Sequence, residues 1–128
     1  MWATGEKTID ERISPGPGEA IDVPGPNLQT VLELAQEKGK RTGSDSTAEI
    51  SDATPAVLDS HMSQPDCQAP KDMTACPQET TAAGGPGSIA EQTVDHRVDV
   101  VLGGGRNRFD ANGGPIAGGP DVEVLQGH

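Results

Sequence analysis

Aromatic side chains are almost missing from this sequence: Trp2 and Phe109 stand alone, and there is no tyrosine. Large aliphatics are scarce too, with Leu, Ile, Val and Phe together making 22 of 128 residues, about 17%. A charged chain below roughly 20% of these residues has little apolar surface to set against the entropy of ordering. Positive charge is short as well, since nine Lys and Arg face twenty Asp and Glu, for a net charge of -11. Self-repulsion of that size opposes compaction and excludes nucleic acid as a partner, because phosphates would go unneutralised. An anionic membrane surface is disfavoured on the same ground. No apolar run approaches the roughly 20 residues of a membrane-spanning helix, and no apolar signal-peptide core follows Met1.

There are two cysteines, Cys67 and Cys76, separated by the loop-like "QAPKDMTA". Structural zinc sites use four ligands, and no histidine stands at ligand spacing from the pair. A local disulfide, which implies an oxidising compartment, and two free thiols are the other readings.

Glycine and proline are plentiful, at 17 and 11 residues. They break up residues 1–26 ("SPGPGEAIDVPGP"), which read as loop or linker, and residues 106–128, which read as an irregular glycine-rich tail. Between them, over 27–105, the pattern becomes periodic. Asn27 can cap a helix over 28–38, with Leu28, Val31, Leu32 and Ala35 on one face and Gly39 as the stop. "TGSDSTAEI" (42–50) reads as a short strand, in which Asp45 would be costly if buried. A second helix is expected to start with Thr54 as cap and Pro55 in its first position, placing Val57, Leu58, His61 and Met62 on one face. Residues 63–87 read as loop. "SIAE" (88–91) has capping-box spacing and opens a third helix to about Arg97, followed by a buried strand "VDVVL" (98–102) that Gly103, Gly104 and Gly105 end. This alternation is that of an α/β protein, and two strands are too few to stand alone, so it reads as a slice of a larger fold.

Chemistry is concentrated in "DATP", Asp52 to Pro55. A cap explains these residues completely; the sharper reading is that a carboxylate and a hydroxyl at a strand-to-helix turn offer hard oxygen donors suited to Mg²⁺. The glycines at 103–105 lack the Lys-Ser/Thr of a phosphate loop, and Arg108 stands where a dinucleotide fingerprint needs glycine, which leaves a turn. His61, His96 and His128 are far apart, with no HxH or HxxxH pair, and no Ser-His-Asp set assembles from spacing.

"STAEISDATPAVLDSHMS" followed by Cys67 and Cys76 resembles the bacterial alkaline phosphatases. The likeness continues in order through "WATGEKT", "LQTVLELAQEKGKRTG", "GSIAEQ" and "RVDVVLGGGRNRF", over about residues 2–110. It implies part of a large α/β sandwich with long irregular termini, and metal-dependent hydrolysis of phosphate monoesters through a phosphoserine, using Zn²⁺ and Mg²⁺. It implies that Thr54 coordinates Mg²⁺, that Asp52 supports that site, and that Cys67 and Cys76 form a local disulfide. It also implies a homodimer in the periplasm or outside the cell.

Other family features have no counterpart in these 128 residues. The nucleophilic serine belongs to an Asp-Ser-Ala stretch shortly before the residues matching "WATG", and the ligands of both zinc sites come later than this sequence reaches. The arginine that holds phosphate is expected two residues before the first cysteine, where Pro65 stands, and proline offers no guanidinium. Asp45 departs from the apolar residue usual in that strand. The expectation is a fragment of an alkaline phosphatase, inactive as this isolated chain. The alternative is a non-enzymatic, acidic and partly disordered protein that binds divalent cations or a partner protein.

Overall fold

The computed structural model describes residues 2–7, 12–14, 26–111 and 114–115. Much of the predicted linker over 1–26, most of the tail over 106–128, and His128 lie outside the described residues. Helix α1 spans Val31–Glu37, three residues later than the sequence predicts. The start is set by Thr30 and not Asn27. Glu33 donates its N–H to Thr30 Oγ1 at 3.2 Å, and Thr30 N–H donates to Glu33 Oε2 at 2.7 Å. This reciprocal pair satisfies two of the amides that a helix start otherwise leaves without partners. Leu32 is buried, whereas Val31 and Leu34 are 54% and 41% exposed, so the buried stripe is narrower than the apolar pattern suggests.

Strands β1 (Gly43–Glu49) and β2 (Val100–Gly104) form a two-stranded parallel sheet. Gly43 pairs with Val100, Ser44 with Val101 and Asp45 with Leu102, and a bulge separates these pairs from Glu49 with Gly104. Asp45 is exposed, so no unpaired carboxylate is buried there. Gly103 and Gly104 are part of the strand and do not end it. A Cβ on Gly103 would overlap the Ile50 side chain and lie 3.1 Å from Ser46 O, so the close approach of the two strands requires glycine.

Helix α2 is a single turn, Ala53–Ala56, capped by Asp52 and not by Thr54. Pro55 therefore sits in the third helical position, which still needs no intrahelical N–H. The predicted longer face over Val57–Met62 does not form. Ser60 turns its hydroxyl back to Ala56 O at 2.6 Å. Met62 leaves the helix entirely, exchanging backbone hydrogen bonds with Ile13 at 2.9 Å in both directions.

The predicted loop over 63–87 holds three short 3-10 turns, at Pro70–Ala75, Pro77–Glu79 and Thr81–Ala83. Cys67 and Cys76 are joined in a disulfide. Helix α3, Ile89–Asp95, starts at the predicted Ser88–Glu91 capping box and stops where Arg97 adopts φ 51°. A last 3-10 turn at Arg106–Arg108 leads to a small hairpin of β3 (Asp110–Ala111) and β4 (Gly114–Pro115).

Two apolar clusters hold these elements, and α3 contributes to both. Ile89 packs with Ile13, Ala56, Met62, Met73 and the disulfide. Ala90 and Val94 pack with Leu32, Ile50, Val98, Val101 and Phe109. The scarce large side chains are thus spent around one helix and the turn after β1.

Candidate metal centres

The turn after β1 is fixed from beneath. Ser51 is fully buried and its hydroxyl donates to Gln68 Oε1 at 2.9 Å. The next residue, Asp52, is exposed, with Oδ1 accepting from Ala53 N–H at 2.9 Å. Thr54 is exposed on the same turn. The turn thus brings a carboxylate and a hydroxyl to the solvent side of the strand end. Mg²⁺ takes one or two carboxylates and keeps several waters, so this donor set fits the ion, with water completing the shell.

Pro65 lies half-buried in a turn two residues before Cys67. Two arginines are engaged with carboxylates. Arg108 donates from Nε to Glu49 Oε2 at 2.9 Å and from an Nη to Asp72 Oδ2 at 2.8 Å. Arg41 is tied to Asp99 at 2.6 Å.

Among the described residues, one group of three metal-capable side chains forms elsewhere: Glu33, His61 and His96, with ligand atoms all within 4.8 Å of one another. His61 Nε2 lies 2.8 Å and His96 Nε2 3.0 Å from the same atom, Glu33 Oε1. The three side chains are 17%, 10% and 25% exposed for Glu33, His61 and His96. Burial works to raise the Glu33 carboxyl, but Thr30 N–H and the two imidazoles outweigh it and hold the group below its usual value. Asp59, fully buried behind this group, is pushed up to about 7 by desolvation, which the neighbouring His96 and the Thr93 hydroxyl only partly offset.

Each member is positioned by a different element. The capping box fixes Glu33 in the first turn of α1. The bridge between Ile13 and Met62 places Ser14 O 3.4 Å from His61 Nδ1. His96 ends α3, with Nδ1 2.9 Å from Gln92 O and its own carbonyl accepting from Gln36 Nε2 at 2.8 Å. The histidines lie 28 and 63 residues from Glu33 along the chain, so no local spacing marks the group. The sequence pattern puts His61 on a helix face with Val57, Leu58 and Met62, and nothing in that pattern points to the group. The Thr30-x-x-Glu33 box was the one local signal that any member is held in place.

The sequence model of the alkaline phosphatase family matches residues 2–121. The chain belongs to the alkaline phosphatase family. It is 49% identical over 119 residues to the streptomycin-6-phosphate phosphatase of Streptomyces griseus, a match covering 91% of this chain and 25% of that protein. With the alkaline phosphatase of Escherichia coli the identity is 39% over 109 residues, covering 84% of this chain and 22% of the relative. Among solved structures, the cold-active alkaline phosphatase of a psychrophilic Shewanella superposes with a TM-score of 0.60 at 27% identity, over 85% of this chain and 21% of that one. The chain spans about a quarter of the length of the curated relatives it matches.

Proposed function

We propose that this chain is the part of a metal-dependent phosphate monoesterase that carries the magnesium-side turn, with Asp52 and Thr54 as its oxygen donors. The observation that supports it is the family match together with the geometry after β1, where both oxygens sit exposed on one strand-to-helix turn. A divalent ion held there would contribute positive charge near the reacting phosphate. The chain's own part is structural: Ser51 and Gln68 lock the turn from below, and the Asp52 cap fixes its backbone. A two-stranded parallel sheet is marginal alone, in keeping with a segment whose sheet is completed by further strands.

By itself the 128-residue chain is inactive in this reading. Pro65 takes the place where the family resemblance puts a phosphate-holding arginine, and proline offers no guanidinium. The substrate class is phosphate monoesters. Streptomycin 6-phosphate belongs in the assay because the Streptomyces relative is named for it. The buried disulfide suits an oxidising compartment, the periplasm or the outside of the cell.

The test is hydrolysis of p-nitrophenyl phosphate and of streptomycin 6-phosphate by the purified chain with Zn²⁺ and Mg²⁺. No turnover is expected from the chain or from Pro65→Arg. Activity is expected to return when the chain carrying Pro65→Arg is mixed with a family member lacking this segment, and to fall when that added chain also carries Asp52→Ala or Thr54→Val. Metal-dependent turnover by the pure, sequence-verified chain overturns the inactivity. Complementation indifferent to both substitutions overturns the assignment of the turn.

A further inference from the structure

We propose that Glu33, His61 and His96 form a binding site for one divalent transition-metal ion of the Zn²⁺ class, reached through the groove beside α1. Two imidazoles and one carboxylate are the donor set that suits Zn²⁺, Co²⁺ or Ni²⁺ and does not suit Mg²⁺ or Ca²⁺, which take oxygen.

The hydrogen bonds around the histidines carry the argument. Ser14 O faces His61 Nδ1 at 3.4 Å, and Gln92 O faces His96 Nδ1 at 2.9 Å. With Nδ1–H donated to each of these carbonyls, both Nε2 atoms turn a lone pair inward, toward Glu33 Oε1. Three acceptor atoms that converge in this way are a set that one divalent cation satisfies. In that arrangement each ligating imidazole also has the outer N–H to backbone carbonyl bond that fixes the tautomer of metal-binding histidines.

The geometry is within reach of that state. Ligand atoms about 2.0–2.1 Å from a tetrahedral Zn²⁺ lie about 3.3 Å apart. The two Nε2 to Oε1 separations of 2.8 and 3.0 Å must widen by a few tenths of an ångström, and the two Nε2 atoms, which lie within 4.8 Å of each other, must settle at the same spacing. Glu33 Oε2 stays engaged with Thr30 N–H, so the carboxylate would ligate through Oε1 alone. A groove of about 430 Å³ opens on Glu33 and His61 between Asn27, Gln29, Gln36 and Glu37, giving the ion a path and its fourth position a water. The cysteines, being joined, do not compete for the metal.

Equilibrium dialysis of the purified chain, disulfide intact, against micromolar Zn²⁺ with excess Mg²⁺ tests this, with metal counted by mass spectrometry. The visible spectrum of the Co²⁺ form reports the ligands. One Zn²⁺ per chain is expected, together with a tetrahedral Co²⁺ band. His96→Ala should weaken binding by about 100-fold and abolish the band, and His61→Ala should do the same. Asp45→Asn, at an exposed position on β1, should leave both readouts unchanged. His96 sits at the helix end and is the most exposed member, so its loss reads the site without emptying a core position. Absence of a stoichiometric ion in the wild-type chain, or binding that survives both histidine substitutions, overturns the proposal.

Discussion

Gln92 and His61 hold each other through a reciprocal pair of hydrogen bonds: Gln92 Nε2 donates to His61 O at 3.0 Å, and His61 N–H donates to Gln92 Oε1 at 2.9 Å. The same amide donates to Gly87 O at 3.0 Å, and the Gln92 carbonyl accepts from His96 Nδ1. One buried side chain on α3 therefore fixes the backbone of one histidine, while its peptide orients the other. Replacing it by leucine keeps the volume and orphans two buried carbonyls and one N–H. Each orphaned group costs about 1–3 kcal/mol. Gln92→Leu is expected to destabilise the chain by about 3 kcal/mol in urea denaturation, whereas Gln92→Glu keeps the acceptor and loses less. A leucine variant as stable as wild type would show that the pair contributes nothing.

This pair also marks where sequence reasoning stops. The capping box at Ser88, the strand before "DATP" and the stop at Gly39 were legible because each depends on residues within four positions of one another. The family was legible for a different reason, the order of several motifs along the chain. Gln92 meeting His61, or Glu33 meeting both histidines, depends on how three elements pack, and no periodicity encodes that. The errors had local causes too. Asn27 lost the first cap to Thr30 because only Thr30 has a glutamate three residues on. The expected second helix was cut short because Met62 bonds Ile13 instead of continuing the turn. Glycines expected to end β2 are inside it because β1 runs too close for a side chain.

The disulfide carries a second prediction. Cys67 and Cys76 are both fully buried, nine residues apart, and pack with Met62, Met73 and Ile89. Closing a loop of that size restricts the unfolded chain by about 2.7 kcal/mol in the chain-entropy account. Cys67→Ala with Cys76→Ala should therefore lower unfolding stability by about 3 kcal/mol, and reduction of the wild-type chain should do the same. Guanidinium titrations with and without reductant check it. Coincident curves would count against any role for the bridge in holding the loop over 63–87.

Gly105 offers a sharper test of backbone geometry. It stands at φ 84°, and a Cβ there would come 2.8 Å from Glu49 Cβ. Glu49 is in turn one of the two carboxylates that hold Arg108. Gly105→Ala combines left-handed strain of about 1–2 kcal/mol with displacement of Glu49 from its partner. Arg108→Met removes the ion pairs alone and should cost less, about 1 kcal/mol, because the guanidinium is partly solvated. The order expected in thermal unfolding is wild type, then Arg108→Met, then Gly105→Ala. The reverse order would mean that the arginine, not the glycine, organises this corner.

Asp59 sets the expected pH dependence. Burial raises its carboxyl from 3.8 to about 7, and Glu33 adds to the rise while His96 and Thr93 oppose it. Below the lower value both folded and unfolded chains hold the proton, and the carboxyl imposes no ionisation cost. Between the two values the folded chain alone keeps it, so stability falls as pH rises. Above about 7 the cost of burying the charge is complete. A shift of this size corresponds to about 4 kcal/mol at most, since each unit is worth about 1.4 kcal/mol. Asp59→Asn removes the titrating group and keeps the acceptor for the Thr93 hydroxyl, which lies 3.3 Å away. Compared in chelator at pH 5 and pH 9, the variant should gain on wild type by a few kcal/mol between the two conditions. Carboxylates held below their usual values, such as Glu33, act in the opposite direction at acid pH and are common to both proteins, so the difference isolates Asp59. Equal pH profiles would mean that Asp59 meets water or a positive charge that the packing around α3 does not provide.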